Sequence, residues 1–172
     1  MAKITFILGG ARSGKSQFAI KLAKGKTKKV AFIATCLAKD LEMKKRIQLH
    51  KKLRPAHWQT FEEPKDIPAL LEEIGSKFDL IIIDCLTLLV SNLLLGGLKG
   101  TAIEDRVKMM VTLLKKIKSQ SIIVSNEVGL GIVPKNKLAR DFRDIAGRVN
   151  QIVAEKSDSV FFMFTGMPLR IK

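Results

Sequence analysis

Residues 9–16, GGARSGKS, have the composition and spacing of a loop that binds the phosphates of a nucleotide. They match the pattern G-x-x-x-x-G-K-[ST], with Gly9, Gly14, Lys15 and Ser16 in register. Glycines let the backbone N–H groups converge on phosphate oxygens, and the following helix adds a partial positive charge. We expect Lys15 to neutralise the β- and γ-phosphates and the Ser16 hydroxyl to ligate Mg²⁺. A chance match is the alternative, but a predicted strand before the loop and a helix after it favour a nucleoside triphosphate.

Asp84 is a second candidate metal ligand, because it ends the apolar run LIIID at 80–84. If this predicted strand lies beside the phosphate loop, the carboxylate can hold Mg²⁺ directly or through water. The alternative is that Asp84 caps the helix that follows at CLTLL.

Both histidines of the chain, His50 and His57, lie in RIQLHKKLRPAHW at 46–58 among lysines and arginines. A neutral imidazole is a nucleophile, and nearby cations would stabilise a polyphosphate under attack. From the residues alone, His50 can equally be a surface histidine among solvated lysines. His57 lies between Pro55 and Trp58, and we expect it to pack or hydrogen-bond locally rather than to take part in catalysis.

The composition limits the classes of partner. The 172 residues carry a formal net charge of +15, which could attract nucleic acid. However, aromatic residues make up only 6% and tyrosine is absent, so the chain offers few side chains on which bases could stack. No specific nucleic-acid partner is therefore expected. The most apolar stretch is interrupted by Asp84, Ser91 and Asn92, which argues against a membrane span. Two cysteines and no signal-peptide pattern favour a cytoplasmic protein with free thiols.

Short apolar runs alternate with helical patterns along the chain. The runs predict buried parallel strands at 4–8, 30–35, 80–84, 121–125 and 160–164, with a short extra strand at 57–61. The helical patterns cover about 15–24, 40–53 (with Asp40 as N-cap), 66–76, 86–95, 101–118 and 137–156. This alternation predicts one domain over residues 1–172, a three-layer α/β fold of the P-loop NTPase type (RecA-like) with a mainly parallel sheet.

The segment SNEVGLGIVP at 125–134 follows one of these predicted strands. Its two glycines and its proline suit a shaped loop at the carboxyl ends of the strands, where ligands bind in α/β sheets. An ordinary strand–helix connection is the alternative.

Read together, several stretches closely resemble the bifunctional adenosylcobinamide kinase/adenosylcobinamide-phosphate guanylyltransferase family of cobalamin biosynthesis. They are GGARSGKS, IAT, RIQLHKKLRPAHWQTFEE, SNEVGLGIVP and LARDFRDIAGRVNQ. The resemblance implies that His50, in the RIQ-x-H position, takes GMP from GTP and passes it to adenosylcobinamide phosphate, giving adenosylcobinamide-GDP. It also implies phosphorylation of adenosylcobinamide by ATP or GTP and a homo-oligomer, with a trimer as the suggested form.

The resemblance further implies a set of nucleotide contacts. These come from the phosphate loop, the end of the second strand, the segment after the histidine and two acids: Gly9, Gly10, Ala11, Arg12, Ser13, Gly14, Lys15, Ser16, Ala34, Thr35, Cys36, Lys51, Lys52, Leu53, Arg54, Glu62 and Asp84. The residues alone leave two other classes open. One is a plain P-loop small-molecule kinase, and the other is a basic P-loop ATPase that binds nucleic acid.

Overall fold

The computed structural model describes residues 3–27, 29–38 and 41–172, without the side chains of residues 42, 43 and 46. Its strands are β1 (Ile4–Gly9), β2 (Val30–Ala34), β3 (Gln59–Glu62), β4 (Leu80–Asp84), β5 (Gln120–Asn126), β6 (Ser159–Phe164) and β7 (Met167–Arg170). Its helices are α1 (Lys15–Lys24), α2 (Leu41–Lys52), α3 (Ile67–Ile74), α4 (Leu86–Leu95), α5 (Gly100–Lys116) and α6 (Lys137–Lys156).

The strands form one sheet in the order β3-β2-β4-β5-β1-β6-β7. Strands β1 to β6 pair in parallel, and β7 pairs antiparallel with β6. The predicted α/β architecture with a mainly parallel sheet is therefore confirmed. The six predicted helices are also present, with ends that differ by at most two residues from the expected ones. The proposed N-cap, Asp40, lies outside the described residues.

Helices cover both faces of the sheet, which explains why the strand sequences are apolar without alternation. On β1, Phe6 belongs to the core shared with α3 to α6, whereas the adjacent Ile7 belongs to the core shared with α1. No helix in the described ranges is long and apolar enough to cross a membrane.

The strand that carries Asp84 is not a neighbour of the strand that carries the phosphate loop. Strand β5 lies between them, pairing with β1 on one side and with β4 on the other. The carboxyl ends nevertheless coincide, because Gly9 pairs with Asn126 while Asp84 pairs with Val124. The two strands are not neighbours, so the condition on which the metal role of Asp84 was expected is not met, yet both residues lie at the same edge of the sheet.

Strand β7 was not expected from the sequence. It is joined to β6 by a two-residue turn, Thr165 and Gly166, whose φ angles are 46° and 87°. Positive φ at both positions is the geometry of a tight hairpin, and the Thr-Gly dipeptide after an apolar run was the available signal. Pro168 argued against a strand at this position, because proline is tolerated in a sheet only at positions such as an edge strand. Strand β7 is such an edge strand.

Candidate active site

The phosphate loop joins β1 to α1 and wraps around its own lysine. Helix α1 begins at Lys15, with Gly14 as N-cap in the left-handed region at φ 90°. The Lys15 side chain is buried and its Nζ donates to the Gly10 carbonyl oxygen at 2.5 Å. The loop therefore holds a cation over the backbone that would surround the phosphates.

The hairpin of β6 and β7 supports the loop from one side. The N–H of Gly166 donates to the Ser13 carbonyl oxygen at 3.0 Å. A Cβ on Gly14 would lie 3.2 Å from the Gly166 Cα, and a Cβ on Gly9 would lie 2.8 Å from the Met163 carbonyl oxygen. Glycine is required at both loop positions, by backbone conformation at Gly14 and by close packing at Gly9.

Asp84 faces the phosphate loop despite the intervening strand. Burial raises the pKa of this carboxyl, and the Ser16 hydroxyl together with the charges of His50, Arg54 and Lys15 opposes that rise. Burial likewise lowers the pKa of Lys15, while Cys85 and Asp84 oppose that change. One carboxylate thus interacts with the phosphate loop and with the histidine segment.

Ser16 and Asp84 are a suitable but incomplete oxygen set for Mg²⁺. This ion prefers six oxygen ligands and usually takes several of them from substrate phosphates and water. Among the described residues, no group of three or more His, Cys, Asp or Glu side chains could hold a metal on its own. The two side chains therefore fit an ion that arrives with the triphosphate. Asp84 does not cap α4, because the N-cap is Cys85, without a side-chain hydrogen bond.

A buried polar network fixes the backbone next to Asp84. The Thr35 hydroxyl donates to the Cys85 carbonyl oxygen at 2.7 Å and accepts from the Cys85 N–H at 2.9 Å. Asn92 Nδ2 donates to the carbonyl oxygens of Thr35 and Pro64, at 2.8 and 3.1 Å. The sequence interpretation missed Asn92, although a buried amide in an otherwise apolar helix was a usable signal. Burial raises the pKa of the Cys85 thiol to about 12, so it is neutral at neutral pH.

The histidine segment is attached to the sheet just after the histidine. His50 is exposed in the last turn of α2. Lys51 Nζ lies 2.6 Å from Glu62 Oε1 at the end of β3. The Arg54 guanidinium lies over the Phe32 ring, with Cζ 3.6 Å from the centroid, and its Nη1 donates to Thr60 Oγ1 at 3.3 Å. These contacts hold His50 on the side of the site formed by β2 and β3.

Comparison with known protein sequences shows the family to which this chain belongs. A sequence model of the family described as cobinamide kinase / cobinamide phosphate guanyltransferase matches residues 5–171. The chain belongs to this family. The bifunctional adenosylcobalamin biosynthesis protein CobU of Salmonella typhimurium is 42% identical over 178 aligned residues, covering 96% of this chain and 98% of that protein. The corresponding CobP of Pseudomonas aeruginosa is 41% identical over 166 residues, covering 96% and 95%. The family resemblance drawn from the motifs is confirmed.

For a member of the cobinamide kinase family, the expected nucleotide contacts differ in their place at the site. Ser16, Lys15, His50 and Arg54 all act on the Asp84 carboxylate. Thr35 is fully buried and uses its hydroxyl to hold Cys85, so its contribution is to the shape of the site. The other expected positions differ in burial: Ala34 is buried, Cys36 is half-buried, and Ala11, Arg12, Lys52 and Leu53 are exposed. His57 is exposed and, within the described part of the chain, is not among the groups that shift the pKa of Asp84.

Proposed function

We propose that this protein phosphorylates adenosylcobinamide, with ATP or GTP as the donor, and transfers GMP from GTP to adenosylcobinamide phosphate. The product of the second reaction is adenosylcobinamide-GDP, and both reactions belong to cobalamin biosynthesis. The observation that carries the proposal is the interaction of Asp84 with Lys15 and Ser16 on one side and with His50 on the other. One triphosphate site with a nucleophile beside it can serve both transfers.

Binding of the triphosphate is the part common to both reactions. The loop N–H groups and Lys15 hold and neutralise the phosphate oxygens. Ser16 and Asp84 would hold Mg²⁺, which when bound neutralises charge on the phosphates and on the leaving group. Contacts to the rest of the nucleotide come from the end of β2, from Lys51 to Arg54 and from Glu62.

His50 provides the step specific to guanylyl transfer. An imidazole nitrogen attacks the α-phosphorus of GTP, an N–P bond forms, and the P–O bond to pyrophosphate breaks. An oxygen of adenosylcobinamide phosphate then attacks the same phosphorus, and the N–P bond breaks to restore the histidine. Lys51, Lys52 and Arg54 place positive charge beside the transferring group.

Several broader expectations belong to the same proposal. Residues 1–172 act as one domain, the protein works in the cytoplasm as a homo-oligomer, with a trimer as the suggested form, and it has no specific nucleic-acid partner. The strongly positive charge of +15 then serves to attract phosphorylated small molecules.

The decisive test is a covalent GMP adduct on His50. The protein is incubated with Mg²⁺ and GTP labelled at the α-phosphate, and the adduct is located by mass spectrometry. His50→Ala should form no adduct and no adenosylcobinamide-GDP, yet should still phosphorylate adenosylcobinamide. His57→Ala is the matched control and should form the adduct.

The chemical stability of the adduct adds a second criterion. A phosphoramidate is stable in alkali and labile in acid, because protonation makes imidazole a good leaving group. An adduct that survives acid would identify a serine, threonine or lysine as the carrier. Full guanylylation of the His50→Ala protein would exclude the mechanism and leave a plain small-molecule kinase.

A further inference from the structure

The chain leaves two neighbouring strands, β1 and β5, toward opposite faces of the sheet. After β1 the chain enters α1, which packs on one face, and after β5 it enters α6, which packs on the other. Such a switch point is where open α/β sheets bind ligands, outside the carboxyl ends of the strands. The phosphate loop follows one of these two strands, and the segment that begins at Glu127 follows the other.

Glu127 is fixed directly across from the first glycine of the phosphate loop. Its N–H donates to the Gly9 carbonyl oxygen at 3.0 Å. Its Oε1 accepts from the Gly129 N–H at 2.6 Å, which orients the half-buried side chain. The position of this carboxylate relative to the phosphate loop is therefore set by the backbone.

Side chains of α4 and α6 hold the carboxyl end of β5 in place. Thr87 Oγ1 accepts from the Asn126 N–H at 2.6 Å, and Asn150 Nδ2 donates to the Asn126 carbonyl oxygen at 3.2 Å. The far end of the loop is held by Arg140 Nη1, which donates to the carbonyl oxygens of Pro134 and Lys135 at 3.0 and 2.6 Å. Between these anchors Leu130 is 80% and Ile132 96% exposed, so the loop is open to a large molecule.

Other carboxylates at this edge of the sheet are farther from the phosphate loop or would serve the metal. Glu62 and Glu63 lie at the end of β3, which is separated from β1 by three strands, and Glu62 also pairs with Lys51. Asp84 lies among Ser16, Lys15 and Arg54, where it would serve the metal. Within the described ranges, Glu127 forms no ion pair.

The two proposed reactions differ in their need for a base. An alcohol must lose a proton when it attacks phosphorus, whereas the phosphate group of adenosylcobinamide phosphate is already ionised. Glu127 has its backbone bonded to the start of the phosphate loop and a carboxylate not committed to the metal or to a cation, so it meets the first need only.

We propose that Glu127 is the general base of the kinase reaction, an assignment that rests on the proposed function. Its carboxylate accepts the proton of the acceptor hydroxyl as the O–H bond breaks. The hydroxyl oxygen forms a bond to the γ-phosphorus, and the bond from that phosphorus to the β–γ bridging oxygen breaks. The nucleoside diphosphate leaves, and Glu127 then releases the proton to solvent.

The test separates the two half-reactions in the full-length protein. Phosphorylation of adenosylcobinamide by ATP is measured beside guanylylation of His50 and transfer to adenosylcobinamide phosphate. Glu127→Gln should lower the kinase kcat about 10²- to 10⁴-fold, the usual contribution of a positioned base, and should leave guanylyl transfer unchanged. Glu155→Gln is the matched control, because Glu155 lies near the end of α6 at the opposite edge of the sheet, and it should change neither reaction.

The pH profile supplies a readout that a purely structural role would not change. The kinase kcat of the wild-type protein and of Glu127→Asp should fall more steeply in acid than that of Glu127→Gln, because in this variant only the metal-holding carboxylate of Asp84 remains to be protonated. Parallel loss of both reactions in Glu127→Gln, a rise in KM without loss of kcat, or full activity of this variant would each overturn the assignment. If the wild-type protein forms the GMP adduct but no phosphorylated product, the kinase part of the proposed function fails, and the role of Glu127 fails with it.

Discussion

The phosphate loop and the helix that carries His50 are built in opposite ways. The loop is attached to two surrounding segments by backbone hydrogen bonds, from Glu127 N–H to Gly9 and from Gly166 N–H to Ser13. Its own Lys15 side chain adds an internal bond from Nζ to the Gly10 carbonyl oxygen. Helix α2 exposes Leu41 by 76% and Leu49 by 62% and is attached near its end by two cationic side chains, Lys51 and Arg54.

This difference follows the chemistry that each region is proposed to perform. Both transfers need the triphosphate held in one geometry, and a site supported by the core is preorganised for that task. Only guanylyl transfer needs the histidine. An exposed ion pair such as Lys51–Glu62 contributes about 0–1 kcal/mol, so this attachment of α2 is weak. Substitutions in the loop should therefore affect both reactions, and substitutions around α2 should affect one.

The largest effect is expected at the phosphate loop. Lys15→Ala should reduce both half-reactions about 10²- to 10³-fold, because each requires the cation that neutralises the transferred or leaving phosphates. The fold should persist, since burial already disfavours the Lys15 charge and lowers its pKa. Steady-state assays of both products, with a thermal melt, measure this. Lys21→Ala, exposed on α1, is the control. Near-normal rates in either reaction would show that the two reactions do not share one site.

A smaller and selective effect is expected at the attachment of α2. Arg54→Lys keeps the charge but loses the planar stack on Phe32, and it should slow guanylylation of His50 about tenfold, the equivalent of a cation–π contact of roughly 1.4 kcal/mol. The kinase rate should change less, because the phosphate loop is unaltered. Single-turnover adduct formation and kinase turnover are compared, with Arg148→Lys, at the exposed ion pair with Glu104, as the control. Equal losses in both reactions would mean that Arg54 serves the triphosphate and not α2.

The smallest effect concerns stability at the point where the two regions meet. Burial raises the pKa of Asp84 above its ordinary value of 3.8, so its ionisation at neutral pH opposes folding. Asp84→Asn should melt a few degrees higher than the wild type at neutral pH without nucleotide or metal. The difference in melting temperature should shrink as the pH falls through the raised pKa and vanish below 3.8, where the wild-type carboxyl is protonated in both the folded and the unfolded state.

Melting curves of Asp84→Asn and the wild type over a pH series test this, with the exposed Asp144→Asn as the control. Lower stability of Asp84→Asn at neutral pH would show that its contacts with Ser16, His50, Arg54 and Lys15 outweigh its burial.

The amino-acid sequence determined the local features of this protein. GGARSGKS specifies a phosphate loop because glycine and lysine at that spacing form it with few long-range partners. Continuous apolar runs specify covered strands because both of their faces must be buried. The RIQ-x-H and SNEVGLGIVP stretches also indicated the family, and RIQ-x-H singled out His50 as the proposed nucleophile.

Only the tertiary structure decided which of these features meet. Strand order placed β5 between the strands of Gly9 and Asp84, and that insertion brought Glu127 to the phosphate loop. The same packing set Arg54 on Phe32, Thr35 on Cys85 and the turn at Gly166 against Ser13. These partners are separated by 22, 50 and 153 positions, and patterns of neighbouring residues contain no information about such distances. They follow from how the crossovers and the two cores arrange the strands, which is a property of the whole chain.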